Sequence, residues 1–314
     1  MKASPLLLGV GGAHIDRRGR VSGAYVPAAS NPGIMREDVG GGAFNALRTA
    51  ARRSVAASLM SVRGGDSAGE AVAGAIRQAG ITDLSAIFLD RSTPSYTAIL
   101  DGAGELVVGL ADMALYDMAF PKQVRRSSLR DAAKMADALL VDANLPASAL
   151  ERLTALVPEK PVFAIAISPA KAMRLSTVAG RLSLTFLNRR EVHALTGLTY
   201  GAQAEQVVAA LRAKGLRSAV VTAGSEALLA YDGDGIFTLS PPSPRHIVDV
   251  TGAGDALAGA TVAAMLNGLP LRAALREGAA AALLAIESAA SAPDFTAKDF
   301  AAALDLVPQP AEVP

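Results

Sequence analysis

The stretch Asp249–Ala260, DVTGAGDALAGA, sets an acid directly behind a glycine-rich turn, just where the chain becomes small, apolar and helix-compatible. The first N–H groups of a helix have no partner inside it and attract negative charge. Glycines let those groups approach an anion without interference from a Cβ. Phosphoryl transfer from a nucleotide to a hydroxyl needs two parts. Backbone donors stabilise the transferring group, here Gly252, Ala253 and Gly254, and a base takes the hydroxyl proton, here Asp255. An ordinary acidic cap beside packing glycines would give the same letters.

Four further clusters carry polar groups at the ends of elements. In EDVGGGAFNALRTA, Gly41 and Gly42 open a helix with Asn45 in its first turns. A small polar ligand could lie on that backbone, with Asn45 as donor and acceptor; a plain turn is the alternative. In GVGGAHID, Asp16 follows a strand end, the place where open parallel sheets bind ligands, and a carboxylate there can accept from a diol. The full dinucleotide fingerprint is missing, which argues against an NAD enzyme. In NRREVHALTG, Asn188 and Glu191 stand three apart at a helix start. That spacing suits a hydrated Mg²⁺ held through Glu191, and it equally suits a capping box. In VTAGSEA, Thr222, Gly224 and Ser225 form a strand-end turn or a phosphate loop.

These clusters need a scaffold, and the chain alternates the right parts. Buried strands are expected at 5–11, 55–62, 137–144, 161–167, 184–187 and 218–224, with helices at 42–53, 68–80, 128–137 and 201–215 between them. The alternation predicts a parallel sheet covered on both faces. A hairpin turning at Asp232–Gly235 should follow, then a helical stretch from Ala253 to about Leu304 and a frayed tail PQPAEVP. Two segments, 17–39 and 92–110, are β-leaning and break the alternation; paired, they would make a small sheet over a cleft.

Composition narrows the function. The chain has 314 residues, a net charge of +1 and 4% aromatic residues, so nucleic acid is not the expected partner. Apolar runs are too short for a membrane span, and no signal peptide is apparent. With no cysteine, thiolate metal sites are excluded and a cytoplasmic setting is expected.

Taken in order, the five clusters resemble the ribokinase-like (PfkB) family of sugar and nucleoside kinases: GGGAFN is similar to its N-terminal signature and DVTGAGDALAGA to its C-terminal one. The resemblance implies an α/β three-layer sandwich, with a central mostly parallel sheet and a small β-lid at 17–39 and 92–110. The core would comprise 1–16, 40–91 and 111–314. It implies Asp255 as base, an anion hole at Gly252–Gly254, and Asp16, Gly41, Gly42 and Asn45 on a ribose. Asn188, Glu191, Thr222, Gly224 and Ser225 would serve ATP and Mg²⁺, together with Gly252 and Gly254. Asp249 and the Thr251 carbonyl, with the segment around 285–291, would hold K⁺. Within the family, SNPG (30–33), the run 93–113, DANLP (142–146) and APDF (292–295) resemble the pseudouridine kinases. That branch implies 5′-phosphorylation of pseudouridine, with Ser30, Asn31, Tyr96, Asp112 and Asn144 as candidates for base or lid contacts. A homodimer joined through the lid is implied as well. Two departures stand out: Ala164–Ile167 where the family often has Asp-Pro, and Leu187 where proline is usual. The alternatives are a kinase for ribose, another nucleoside or a related sugar, and a ligand sensor that kept the fold without catalysis.

Overall fold

The computed structural model describes residues 4–288 and 295–313. Of the APDF stretch only Phe295 is described, and the 289–291 part of the expected K⁺ segment also lies outside the described residues.

Seven strands run parallel, in the order Thr82–Asp83, Ala56–Met60, Leu6–Val10, Ala138–Asp142, Val162–Ile165, Leu184–Asn188, Ala219–Ala223. Their side chains alternate between two cores. Leu7, Ala138 and Leu140 enter one, while Leu8, Leu139 and Val141 enter the other. Both faces are buried, so these strands read as continuous apolar runs. Helices Gly42–Ala51, Ser67–Gln78, Ala253–Leu266 and Leu271–Ile286 cover one face. Helices Ala114–Gln123, Ala147–Leu156, Arg189–Thr196 and Ala204–Ala213 cover the other.

Beyond Ala219–Ala223 the sheet turns antiparallel through Glu226–Tyr231 and Ile236–Leu239, the expected hairpin. The tail corrects the expectation of fraying. Ala311–Glu312 adds a last antiparallel strand beside Phe237 and Thr238, and Arg272 Nη1 holds the Glu312 carboxylate at 3.1 Å. Ile236–Leu239 would otherwise end the sheet with unpaired backbone groups, which a following segment can satisfy.

The segments that broke the alternation pair with one another. Gly33–Gly40, His14–Val21, Ser95–Leu100 and Leu106–Asp112 make a separate four-stranded sheet in that order. Asp16 lies inside this sheet rather than before it. Side chains of alternate residues share a face. Asp16, Arg18, Arg36, Tyr96, Ala98 and Ala111 face the strand ends of the large sheet across a cavity of about 1400 Å³.

Candidate active site

The centre of the cavity depends on how closely two helices meet. Ala253–Leu266 lies on Gly42–Ala51 at Gly259, where a Cβ would stand 2.1 Å from the Ala46 carbonyl oxygen. Only glycine permits that approach. One turn earlier on the first helix is Asp255, and one residue earlier on the second is Asn45. The close crossing therefore brings together side chains 210 positions apart: Asn45 Nδ2 donates to Asp255 Oδ2 at 3.0 Å. Gly252 caps the helix at φ 79°, a left-handed turn; the Ala253 N–H that follows donates to the Val250 carbonyl at 3.4 Å. Gly252, Gly254 and Asp255 line the wall.

The Asp255 side chain keeps some contact with the cavity, yet protein surrounds it on every other side. Burial raises its pKa from the usual carboxylate range to about 7, with Asp142, Asp16 and Glu191 adding repulsion and the Asn45 amide opposing. A carboxylate poised near neutrality suits a general base. Asn45 Oδ1 is buried without a partner, so one acceptor beside Asp255 awaits a donor such as a hydroxyl.

Around this pair the expected acceptor residues converge. Gly41 caps the helix at Gly42, and both glycines line the cavity with Asp16, Asn45, Tyr96 and Asn144. Asp16 and Tyr96 are opposite each other in the ladder. Asn144 is buried; its Oδ1 accepts from Lys171 Nζ at 2.5 Å, and its Nδ2 has no partner. The lysine fixes the orientation of the amide and leaves its Nδ2 donors unpartnered.

Three residues proposed for base or lid contacts are elsewhere. Asn31 is consumed by its own loop: Oδ1 accepts from the Val26 N–H at 2.8 Å, and Nδ2 donates to the Val26 and Ala29 carbonyls at 2.9 and 3.0 Å. Ser30 is exposed on the same loop, outside the cavity wall. Asp112 is defeated by strand parity, since Ala111 and Met113 face the cavity and it does not.

At the other end, Asn188 and Glu191 form a reciprocal capping box. Glu191 Oε2 accepts from the Asn188 N–H at 2.7 Å, and Asn188 Oδ1 from the Glu191 N–H at 3.0 Å. Burial raises the Glu191 pKa to about 7. Both residues line the cavity, as does Thr222, whose hydroxyl donates to the Leu187 carbonyl at 3.3 Å. The capping box does not preclude a water-held Mg²⁺, because it engages a single carboxylate oxygen. Gly224 and Ser225 lie on the turn beyond, outside the cavity wall.

The residues present do not fit a K⁺ ion on Asp249. Its Oδ2 is paired with Arg18 Nη1, and its Oδ1 accepts from the Thr251 N–H at 2.8 Å. A positive group already occupies the place. Among the described residues, no group of three or more His, Cys, Asp or Glu side chains could hold a metal ion.

Several contributors escaped the sequence reading. Asp142 is fully buried and accepts from the N–H groups of Gly12 (2.8 Å), Ala43 (3.0 Å) and Asn144 (2.9 Å), tying two strand-end loops to the start of the helix Gly42–Ala51. His14 Nε2 is 3.3 Å from Asp16 Oδ1, and His14 Nδ1 is 3.1 Å from the buried Tyr116 hydroxyl, so the imidazole orients Asp16. Ile167 adopts φ 70°, an outlier for a β-branched residue, in the stretch where the family often has Asp-Pro. Its position at the strand end was the only available signal.

The profile of the pfkB family carbohydrate kinases matches residues 5–297. The pseudouridine kinase of Escherichia coli (strain K12) is 25% identical over 279 residues, 88% of each chain. A solved carbohydrate kinase from Agrobacterium tumefaciens is 44% identical, with a TM-score of 0.86 over 98% of this chain and 100% of that one. An Arabidopsis thaliana ribokinase complexed with ribose and ATP shares the fold, with a TM-score of 0.84, at 21% identity over 96% of this chain and 99% of that one. No helix among the described residues is long and apolar enough to cross a membrane. The chain belongs to the pfkB family of carbohydrate kinases and is a phosphotransferase acting on a sugar or nucleoside hydroxyl.

Proposed function

We propose that the protein transfers the γ-phosphoryl group of ATP to the 5′-hydroxyl of pseudouridine. The observation that carries the chemistry is Asp255, a carboxyl raised to about 7 in the first turn of a glycine-capped helix. Above that pH it accepts the hydroxyl proton while the N–H groups at Gly252–Gly254 hold the transferring group. Asp16 and Asn45 hold the ribose diol, with Gly41 and Gly42 providing close backbone. Asn188 and Thr222 would take the nucleotide, and exposed Ile247 and Val250 add apolar surface to the wall of the same cavity. Glu191, through water, would hold Mg²⁺, which would neutralise charge on the phosphate oxygens.

For the acceptor's base, support comes from the stretches shared with pseudouridine kinases, the E. coli relative, and the donors of Asn144 and Lys171, which suit a ring carbonyl. The four-stranded sheet would act as the lid. Its outer face exposes Met35, Val108 and Leu110, a surface suited to pairing with a second copy.

A second reading, a kinase for ribose or another nucleoside, is favoured by Asp16 and Asn45, which read a diol and not a base. The test is ATP turnover with pseudouridine, uridine, adenosine, ribose and fructose in parallel. The proposal expects kcat/KM for pseudouridine to exceed that for uridine by at least about tenfold. Better turnover of uridine or ribose would remove pseudouridine and leave the kinase.

A further inference from the structure

The loop that leads into the Asp255 helix is attached to two separate parts of the molecule. On one side, the N–H groups of Val248 and Asp249 both reach the Ile286 carbonyl, at 2.9 and 3.3 Å. On the other, the Asp249 carboxylate is paired with Arg18 of the strand His14–Val21, each side chain 23% exposed. Arg18 is on the cavity face of the four-stranded sheet, opposite Arg36 in the ladder. Its second terminal nitrogen, Nη2, is buried without a partner.

A guanidinium keeps its charge at every working pH. With Arg18 on one oxygen and the Thr251 N–H on the other, Asp249 has no uncompensated charge left to attract a metal cation. A second positive ion there would also face the guanidinium across a short, partly desolvated distance, where repulsion is strong.

We propose that Arg18 is a positioning residue that serves as a built-in cation: it neutralises Asp249, fixes the loop ahead of the Asp255 helix, and couples that loop to the four-stranded sheet. No monovalent metal ion is then needed to order the glycine turn. Nη2 remains available to a phosphoryl oxygen when the nucleotide is bound. The inference deepens the phosphoryl-transfer reading, but the ion pair can be tested without turnover.

The experiment uses substrate-free protein in KCl, NaCl and tetramethylammonium chloride at equal ionic strength. Melting temperature and amide hydrogen exchange across 249–255 are measured for wild type, Arg18→Met, Arg18→Lys and Arg36→Met. Wild type should be the same in all three salts. Arg18→Met should exchange at least about tenfold faster over 249–255 in tetramethylammonium and be slowed again by K⁺. Arg18→Lys should fall between the two, and Arg36→Met, which removes equal charge from the same face without touching Asp249, should match wild type. Selective stabilisation of wild type by K⁺, or unchanged exchange in Arg18→Met, would overturn the proposal. If Arg18→Met does not fold, the wild-type salt comparison decides alone. Absence of turnover with every acceptor would sink the kinase assignment of this site and leave the ion-pair result standing.

Discussion

The two ends of the cavity treat their polar groups differently. At the end proposed for the acceptor, Asn45 Oδ1 and Asn144 Nδ2 are buried without a partner, and Asp255 is held where ionisation is costly. At the end proposed for the nucleotide, Asn188 and Glu191 satisfy each other and Thr222 donates to the backbone. Unsatisfied buried groups are costly, and a ligand can complete those whose residues line a cavity. On that reading the proposed acceptor end keeps polar groups that a ligand's hydroxyls can complete, while the proposed nucleotide end is assembled from groups that also serve the fold. Substitutions should hit harder at the first end than at the second.

The largest effect is expected from Asp255→Asn. The amide keeps the shape but cannot take a proton, so kcat should fall by about 10²–10⁴-fold with nucleotide affinity nearly unchanged. Calorimetric titration of ATP alongside turnover separates the two quantities. A variant retaining more than roughly a tenth of the wild-type rate would remove the base assignment.

Asp16→Ala comes next. It deletes a diol acceptor from an enclosed site and should weaken acceptor binding by about 1–3 kcal/mol. Direct titration of the acceptor measures this, and an unchanged Kd would shift the diol to another group.

Glu191→Gln should do least. Glutamine preserves the capping box, so the helix stays in place. Because burial raises the folded-state pKa of Glu191 to about 7, ionising it destabilises the fold increasingly as pH rises from the unfolded carboxylate range toward 7. The neutral variant should therefore melt no lower than wild type at pH 8. Its apparent Mg²⁺ requirement should rise by less than about tenfold. A greater loss than that of Asp16→Ala would reverse the contrast between the two ends.

Much of this arrangement was legible because local rules carried it. Apolar runs marked six of the seven parallel strands, the two-residue Thr82–Asp83 being too short to show, and the glycine turn with its acid marked the start of the helix at Ala253. Parity hid what single residues could not reveal: Asp112 and Ala111 are neighbours in sequence, yet only Ala111 faces the cavity. Asn31 looked like a ligand contact and turned out to be a loop staple. Contacts across the chain were invisible. Nothing in GAFNALRTA states that Asn45 meets Asp255, because the cause is the space left by Gly259 against Ala46. Arg18 was equally silent, since its partner stands 231 residues away in the sequence.

The most direct test of the account is the pH dependence of kcat/KM for the acceptor at saturating ATP and Mg²⁺. Asp255 must be ionised to accept the hydroxyl proton, and its carboxyl is raised to about 7. Activity should be full above that pH and fall about tenfold per unit as pH drops through and below it. A profile flat from about pH 5.5 to 8.5, or one that rises as pH falls, would contradict Asp255 as the base.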